Sequence, residues 1–202
     1  DAIEQSGGAW VVIGYEGEFS PEQPSVGDEV ILGTRAIEYN SFFALREFWL
    51  TDLDHKHEYA RIKAMFVMMN LEKRRLMRIP NELITPYKST LNKRLAQLKA
   101  PSKLPDDFQE KEYQVRYFDI DLNHHVNNAR YFDWMLDPLG AEFLRTHYPA
   151  YLTIKYENEV KEESTVQSRV HIDRDGDQVK TIHEIWSHGE LCTMAEMTWN
   201  HI

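Results

Sequence analysis

β-Branched and aromatic residues, with partial two-residue alternation, fill residues 10–19, 29–39, 42–51 and 58–69, and again 151–160, 164–173, 178–187 and 190–200. Such a pattern predicts antiparallel strands. Asp175-Gly176 and His188-Gly189 fall between consecutive members of the second set, where residues tolerant of positive φ close hairpins. Ahead of that set, residues 112–118 read as a further strand, and residues 128–147 place Tyr131, Trp134, Met135, Leu139 and Phe143 near helical spacing. Asp137-Pro138 and Gly140 should interrupt that helix midway. Between the two sets, Pro80, Pro86, Pro101 and Pro105 mark a linker, in which Leu91, Leu95 and Leu98 at i, i+4, i+7 predict one short helix over 89–98.

The two strand sets are copies of each other. Ile13-Gly14-Tyr15-Glu16-Gly17-Glu18 answers Ile154-Lys155-Tyr156-Glu157-Asn158-Glu159, and Thr34-Arg35 answers Ser168-Arg169. Arg46-Glu47-Phe48-Trp49 answers His183-Glu184-Ile185-Trp186, all in the same order along the chain. The second copy reads as strand, helix, four strands, and one curled antiparallel sheet wrapped round a helix is the hot-dog arrangement. Ahead of Ile13 there is no room for the matching strand and helix, so the first copy is expected to be N-terminally incomplete. The expected fold is therefore α+β with tandem hot-dog repeats. Residues 1–85 form the first, 86–111 a basic linker with a short helix, and 112–202 the second, catalytic repeat.

Composition narrows the classes. A chain of 202 residues with 42% hydrophobic residues and five tryptophans can bury a real core. Its longest apolar runs, such as 64–69, fall far short of the roughly 20 residues that cross a bilayer, and its first residues show no export-signal pattern. A single cysteine, Cys192, forms no internal disulfide, which points to a reducing cytoplasm and a packing role for the thiol. The net charge of −10 argues against nucleic-acid binding. That charge is uneven: residues 73–103 hold nine basic residues against one acid, Glu82.

The densest polar cluster, Asp119-Ile120-Asp121-Leu122-Asn123-His124-His125-Val126-Asn127-Asn128, joins a strand to a helix start. Amides at a helix N-terminus can receive an oxyanion, and carboxylate and imidazole groups beside them can activate water or attack directly. An Asx-rich turn alone would also use these residues. A metal site could draw on Asp119, Asp121, His124 and His125, although adjacent histidines point apart and the spacing is unlike that of zinc ligands.

Residues 117–134, Tyr-Phe-Asp-Ile-Asp-Leu-Asn-His-His-Val-Asn-Asn-Ala-Arg-Tyr-Phe-Asp-Trp, closely resemble the signature of the acyl-acyl carrier protein thioesterases. A looser resemblance runs through both repeats, including Gly27-Asp28 and the Arg74-Arg75-Leu76-Met77-Arg78-Ile79-Pro80 run. The resemblance implies catalytic roles for Asp121, Asn123, His125 and Glu159, a homodimer, and an acyl pocket to which the first repeat contributes; no cofactor and no metal are expected. Where the family often has Cys after the catalytic Glu, this chain has Val160, which speaks against a cysteine acyl-enzyme. Glu18 mirrors Glu159 but has no Asp-x-Asn-x-His loop beside it, so one active site per chain is expected.

Hydrolysis of a fatty acyl thioester on acyl carrier protein is the resulting expectation. Asp121, His125 and Glu159 would position and activate water, Asn123 would orient the thioester or a catalytic partner, and amides near Asn127 and Asn128 would hold the oxyanion; direct attack by Asp121 stays open. Lys88, Lys93, Arg94 and Lys99 are candidate docking residues for the acidic carrier. The rival readings are an acyl-coenzyme A thioesterase and a non-catalytic acyl-binding hot-dog protein.

Overall fold

A computed structural model describes residues 6–121, 125–176 and 178–202. Two compact units emerge, Asp1–Lys99 and Ala100–Ile202. No helix among the described residues is long and apolar enough to cross a membrane.

The first unit is a sheet of β1 (Gly8–Phe19), β2 (Ile31–Tyr39), β3 (Phe43–Thr51) and β4 (Glu58–Asn70), with β5 (Arg75–Met77) added to β4. All of these pairs are antiparallel. Ala44 and Leu45 are consecutive on β3 and so face opposite sides of the sheet. The chain leaving β4 covers both sides. Ile79, Leu83 and Ile84, the latter two from the short helix α1 (Asn81–Ile84), pack with Met68, Trp10, Tyr39 and Ala44. Leu95 and Leu98 pack with Leu45, Met65 and Phe43 on the other.

Residues 89–98 hold no helix. Thr90-Leu91 form β6, parallel to β2 at Glu38 and Tyr39, and Asn92 donates its N–H to the Tyr39 carbonyl at 2.8 Å. The edge of β2 thus satisfies backbone groups that a helix would have satisfied internally. Leu91 stays exposed while Leu95 and Leu98 face the sheet, so the three leucines share no face. Opposite Trp49 in the β2–β3 ladder only glycine fits: a Cβ on Gly33 would lie 2.1 Å from the Trp49 ring.

In the second unit β8 (His147–Tyr156), β11 (Glu190–His201), β10 (Gln178–Ser187), β9 (Thr165–Asp175) and β7 (Gln109–Gln114) lie side by side in that order, all antiparallel. The repeat keeps its register: Arg35 stands opposite Glu47 as Arg169 stands opposite Glu184. Helix α2 (Asn128–Leu136) packs on β9 and β10, giving the hot-dog arrangement, and Tyr131, Trp134, Met135, Leu139 and Phe143 are all buried, as their spacing predicts. The helix stops where Pro138 offers Trp134 no N–H donor. The buried Ser168 hydroxyl on β9 donates to that orphaned carbonyl instead, at 2.8 Å. A single 3₁₀ turn at Asp137–Leu139 and Gly140 at φ 83° then lead into α3 (Ala141–Thr146).

Two strands stop short of the pattern near the polar cluster, and their ends frame it. The strand expected over 112–118 ends at Gln114, because the Asp119 carboxylate takes the Arg116 N–H at 2.8 Å and bends Tyr117–Asp119 into a 3₁₀ turn. The strand expected over 151–160 runs instead from His147 to Tyr156, leaving Glu159 and Val160 beyond its end.

Candidate active site

The described residues on either side of 122–124 are held together. Ile120 and Val126 form a single antiparallel bridge, and Asp121 donates its N–H to the His125 carbonyl at 2.8 Å. The His125 N–H points back to Asp121 Oδ1 at 3.4 Å, which fixes that carboxylate beside the His125 backbone. Asn123 lies outside the described residues, with Leu122 and His124.

Asp119, a possible metal ligand by residue type, is a structural clamp. It is fully buried and binds Arg116 Nη2 at 2.8 Å and Arg130 Nε at 3.8 Å. Burial alone would raise its pKa, but the Arg116 side chain and backbone bonds and the charge of Arg130 together hold it below the ordinary carboxylate value. Among the described residues no three His, Cys, Asp or Glu side chains gather as a metal site.

Asn127 is the N-cap of α2. Its side-chain oxygen accepts the Ala129 N–H at 3.0 Å, and its own N–H donates to the Asp119 carbonyl at 2.8 Å. The Asn127 backbone N–H is therefore engaged by that carbonyl, unlike the free oxyanion donor expected from its position. The first amide inside the helix, that of Asn128, is the remaining candidate of the two.

Glu159 reaches the loop from the other side. After Tyr156 the chain leaves the ladder: Glu157 and Asn158 both donate N–H groups to the Cys192 carbonyl, at 2.8 and 3.2 Å, and the Asn158 amide donates to the Leu191 carbonyl at 2.8 Å. The Val160 N–H donates to the Tyr131 hydroxyl oxygen at 3.1 Å. Between these anchors, Glu159 Oε2 lies 3.1 Å from His125 Nε2. Their side chains are 45% and 34% exposed, open enough to meet a substrate or water. The mirror residue Glu18 stays inside β1, opposite Arg61. Structure thus brings Asp121, His125 and Glu159 together within the second unit.

Beside Glu159 opens a cavity of about 350 Å³, lined also by Lys161, Ser187, His188, Glu190 and Cys192. Cys192 is nearer the site than its place on the last strand suggests. Burial pushes its thiol up to about 11, so it remains a neutral group rather than a nucleophile. Tyr131 entered the sequence pattern only as an apolar helix position; its hydroxyl, on a side that must be buried, was the available signal that a polar partner waits there.

The basic residues Lys88, Lys93, Arg94 and Lys99 are all exposed on the first unit. Lys88 caps a 3₁₀ turn with φ 51°. Among the described residues, Lys88, Lys93 and Arg94 have no carboxylate within ion-pair distance.

Comparison with known proteins gives a consistent picture. Residues 1–87 match the acyl-ACP thioesterase N-terminal domain and residues 102–201 the acyl-ACP thioesterase C-terminal domain. A Lactobacillus plantarum protein described as an oleoyl thioesterase is 38% identical; the match covers 100% of this chain and 79% of that one, with a TM-score of 0.92. The 12:0-ACP thioesterase of Umbellularia californica shares the fold at 23% identity and a TM-score of 0.83, over 100% of this chain and 78% of that one. A chloroplastic dodecanoyl-acyl-carrier-protein hydrolase of Cinnamomum camphora is 32% identical over 129 residues, 60% of this chain and 34% of that protein. The chain spans less than half the length of the curated relatives it matches.

Proposed function

The chain belongs to the acyl-ACP thioesterase family, and on that premise we propose that it hydrolyses fatty acyl-ACP thioesters to a free fatty acid and the carrier-protein thiol. The observation that carries this reading is the 3.1 Å pair of His125 Nε2 and Glu159 Oε2, set beside the start of a helix.

A thioester has weak resonance stabilisation, and a thiol of pKa about 8.5 leaves readily as thiolate. The chemistry therefore needs an activated water and a place for the oxyanion. Glu159, paired with His125, takes a proton from water as the oxygen attacks the thioester carbonyl carbon. The Asn128 N–H, at the positive end of α2, receives the charge that develops on the carbonyl oxygen. Collapse of the tetrahedral intermediate breaks the carbon–sulfur bond, and the departing thiolate takes up the proton. Asp121 braces His125 through its backbone N–H. Asn123 carries the role of orienting the thioester by family resemblance. Val160 supplies no nucleophile, and the neutral Cys192 thiol supplies none either.

The partner in this reading is an acidic acyl carrier protein, docked through Lys88, Lys93, Arg94 and Lys99. A reducing cytoplasm suits the lone thiol, while the curated plant relatives are described as chloroplastic. A homodimer is favoured by family resemblance. The test is release of free thiol from acyl-ACP and acyl-coenzyme A carrying the same chain. A larger kcat/KM on the carrier substrate is expected. Equal values would transfer the function to coenzyme A esters, and binding without thiol release would make the protein an acyl-thioester binder.

A further inference from the structure

We propose that Tyr131 is a positioning residue, whose hydroxyl fixes Glu159 at its distance from His125 by holding the backbone of Val160. The inference rests on the hydrolase reading for its consequence in catalysis and on hydrogen bonding alone for its geometry.

Glu159 sits on a segment that has left the sheet, so no ladder sets its position. On its N-terminal side the segment is tied to the Leu191 and Cys192 carbonyls. On its C-terminal side the bond described here is the one from Val160 N–H to the Tyr131 hydroxyl oxygen. That bond is buried, where a missing partner leaves an N–H unsatisfied and is costly. The ring cannot shift to follow a moving segment: Tyr131 meets Trp134 and Tyr156 edge-on, at centroid distances of 5.6 and 5.4 Å.

The tie also runs through the right element. Helix α2 begins three residues after His125 and carries Tyr131 one turn further on. Tyr156, the last residue of β8, donates its hydroxyl to the Asn128 carbonyl at 3.3 Å, at the first residue of that same helix. The Glu159 segment is thus bonded to α2 just before it and just after it. Burial, with the nearby Cys192 and Glu159, pushes the Tyr131 hydroxyl up to about 12, so it keeps its proton and its role as a neutral acceptor across the working pH range.

The test compares Tyr131→Phe with Glu159→Gln and with Ser168→Ala, which cuts another buried bond to α2 away from Glu159. In the wild-type protein the Val160 amide should exchange slowly with solvent; fast exchange overturns the proposal without any variant. Tyr131→Phe should lower kcat about tenfold with KM on acyl-ACP unchanged, the size of effect expected from a small misplacement. It should also move the ring nitrogen resonances of His125 toward those of Glu159→Gln. Ser168→Ala should lower the melting temperature and leave kcat and the His125 resonances alone. Wild-type resonances and kcat in Tyr131→Phe, or an equal displacement in Ser168→Ala, would overturn the assignment. If the wild-type protein releases no thiol from acyl-ACP, the hydrolase reading falls, while the His125 resonances still decide what Tyr131 holds.

Discussion

His125 is read from two sides: its backbone N–H faces Asp121 Oδ1 at 3.4 Å, and its ring faces Glu159 Oε2 at 3.1 Å. The two contacts can therefore be altered separately. Asp121→Asn keeps an oxygen for the backbone contact and loses only the charge, while His125→Ala keeps the loop and loses the ring. Each should lower kcat about a hundredfold or more with the urea midpoint unchanged. Near wild-type turnover in both variants would remove the loop from the mechanism. The polar cluster was legible in the sequence as a local pattern at a strand-to-helix junction, whereas the choice of Asp121, His125 and Glu159 came from resemblance to the family signature. What Asn127 does was not legible. Its amide is claimed by the carbonyl of Asp119, and only the folded loop brings those two groups together.

At the scale of elements, strand existence and the buried face of the second-unit helix followed from periodicity, whereas boundaries followed from single hydrogen bonds that periodicity does not contain. The early ends of β7 and β8 are set by Asp119 and by the Cys192 carbonyl; the non-helical path of 89–98 is set by the edge of β2. Beneath α2, His183 of β10 gives an element-level prediction. It is fully buried, its Nε2 lies 2.8 Å from the Thr181 hydroxyl, and burial pushes its pKa from 6.5 down to about 3. The native imidazole is then neutral where an unfolded one would take up a proton. The stability tied to this group is complete above pH 6.5 and is lost as the pH falls from 6.5 toward 3, at up to about 1.4 kcal/mol per pH unit. Urea unfolding across that range should show a shallower acid decline in His183→Gln than in the wild type. Parallel declines would mean that other groups govern the acid limb.

Across the whole sequence, charge is divided: a net −10 overall coexists with a basic stretch over residues 73–103, from the end of the first repeat into the linker. If that stretch receives the carrier protein, reversing Lys93 and Arg94 to glutamate should raise KM for the carrier-bound substrate about tenfold and spare a small thioester analogue, since surface charges act mainly on encounter. An equal change on both substrates would place the effect in the fold rather than in docking. The repeat was legible at this scale through matching segments in the same order, and the structure keeps their register in the pairs Arg35 with Glu47 and Arg169 with Glu184; yet Glu159 meets His125, whereas its mirror Glu18 stands opposite Arg61. That pairing depends on the crook in the chain after Tyr156, and the group that makes the crook is a main-chain oxygen, that of residue 192. Any small side chain there, alanine or serine included, leaves this oxygen where it is. The lone sulfhydryl takes no part in that crook, so Cys192→Ala is expected to keep turnover and to offer a thiol-free background for placing spectroscopic labels.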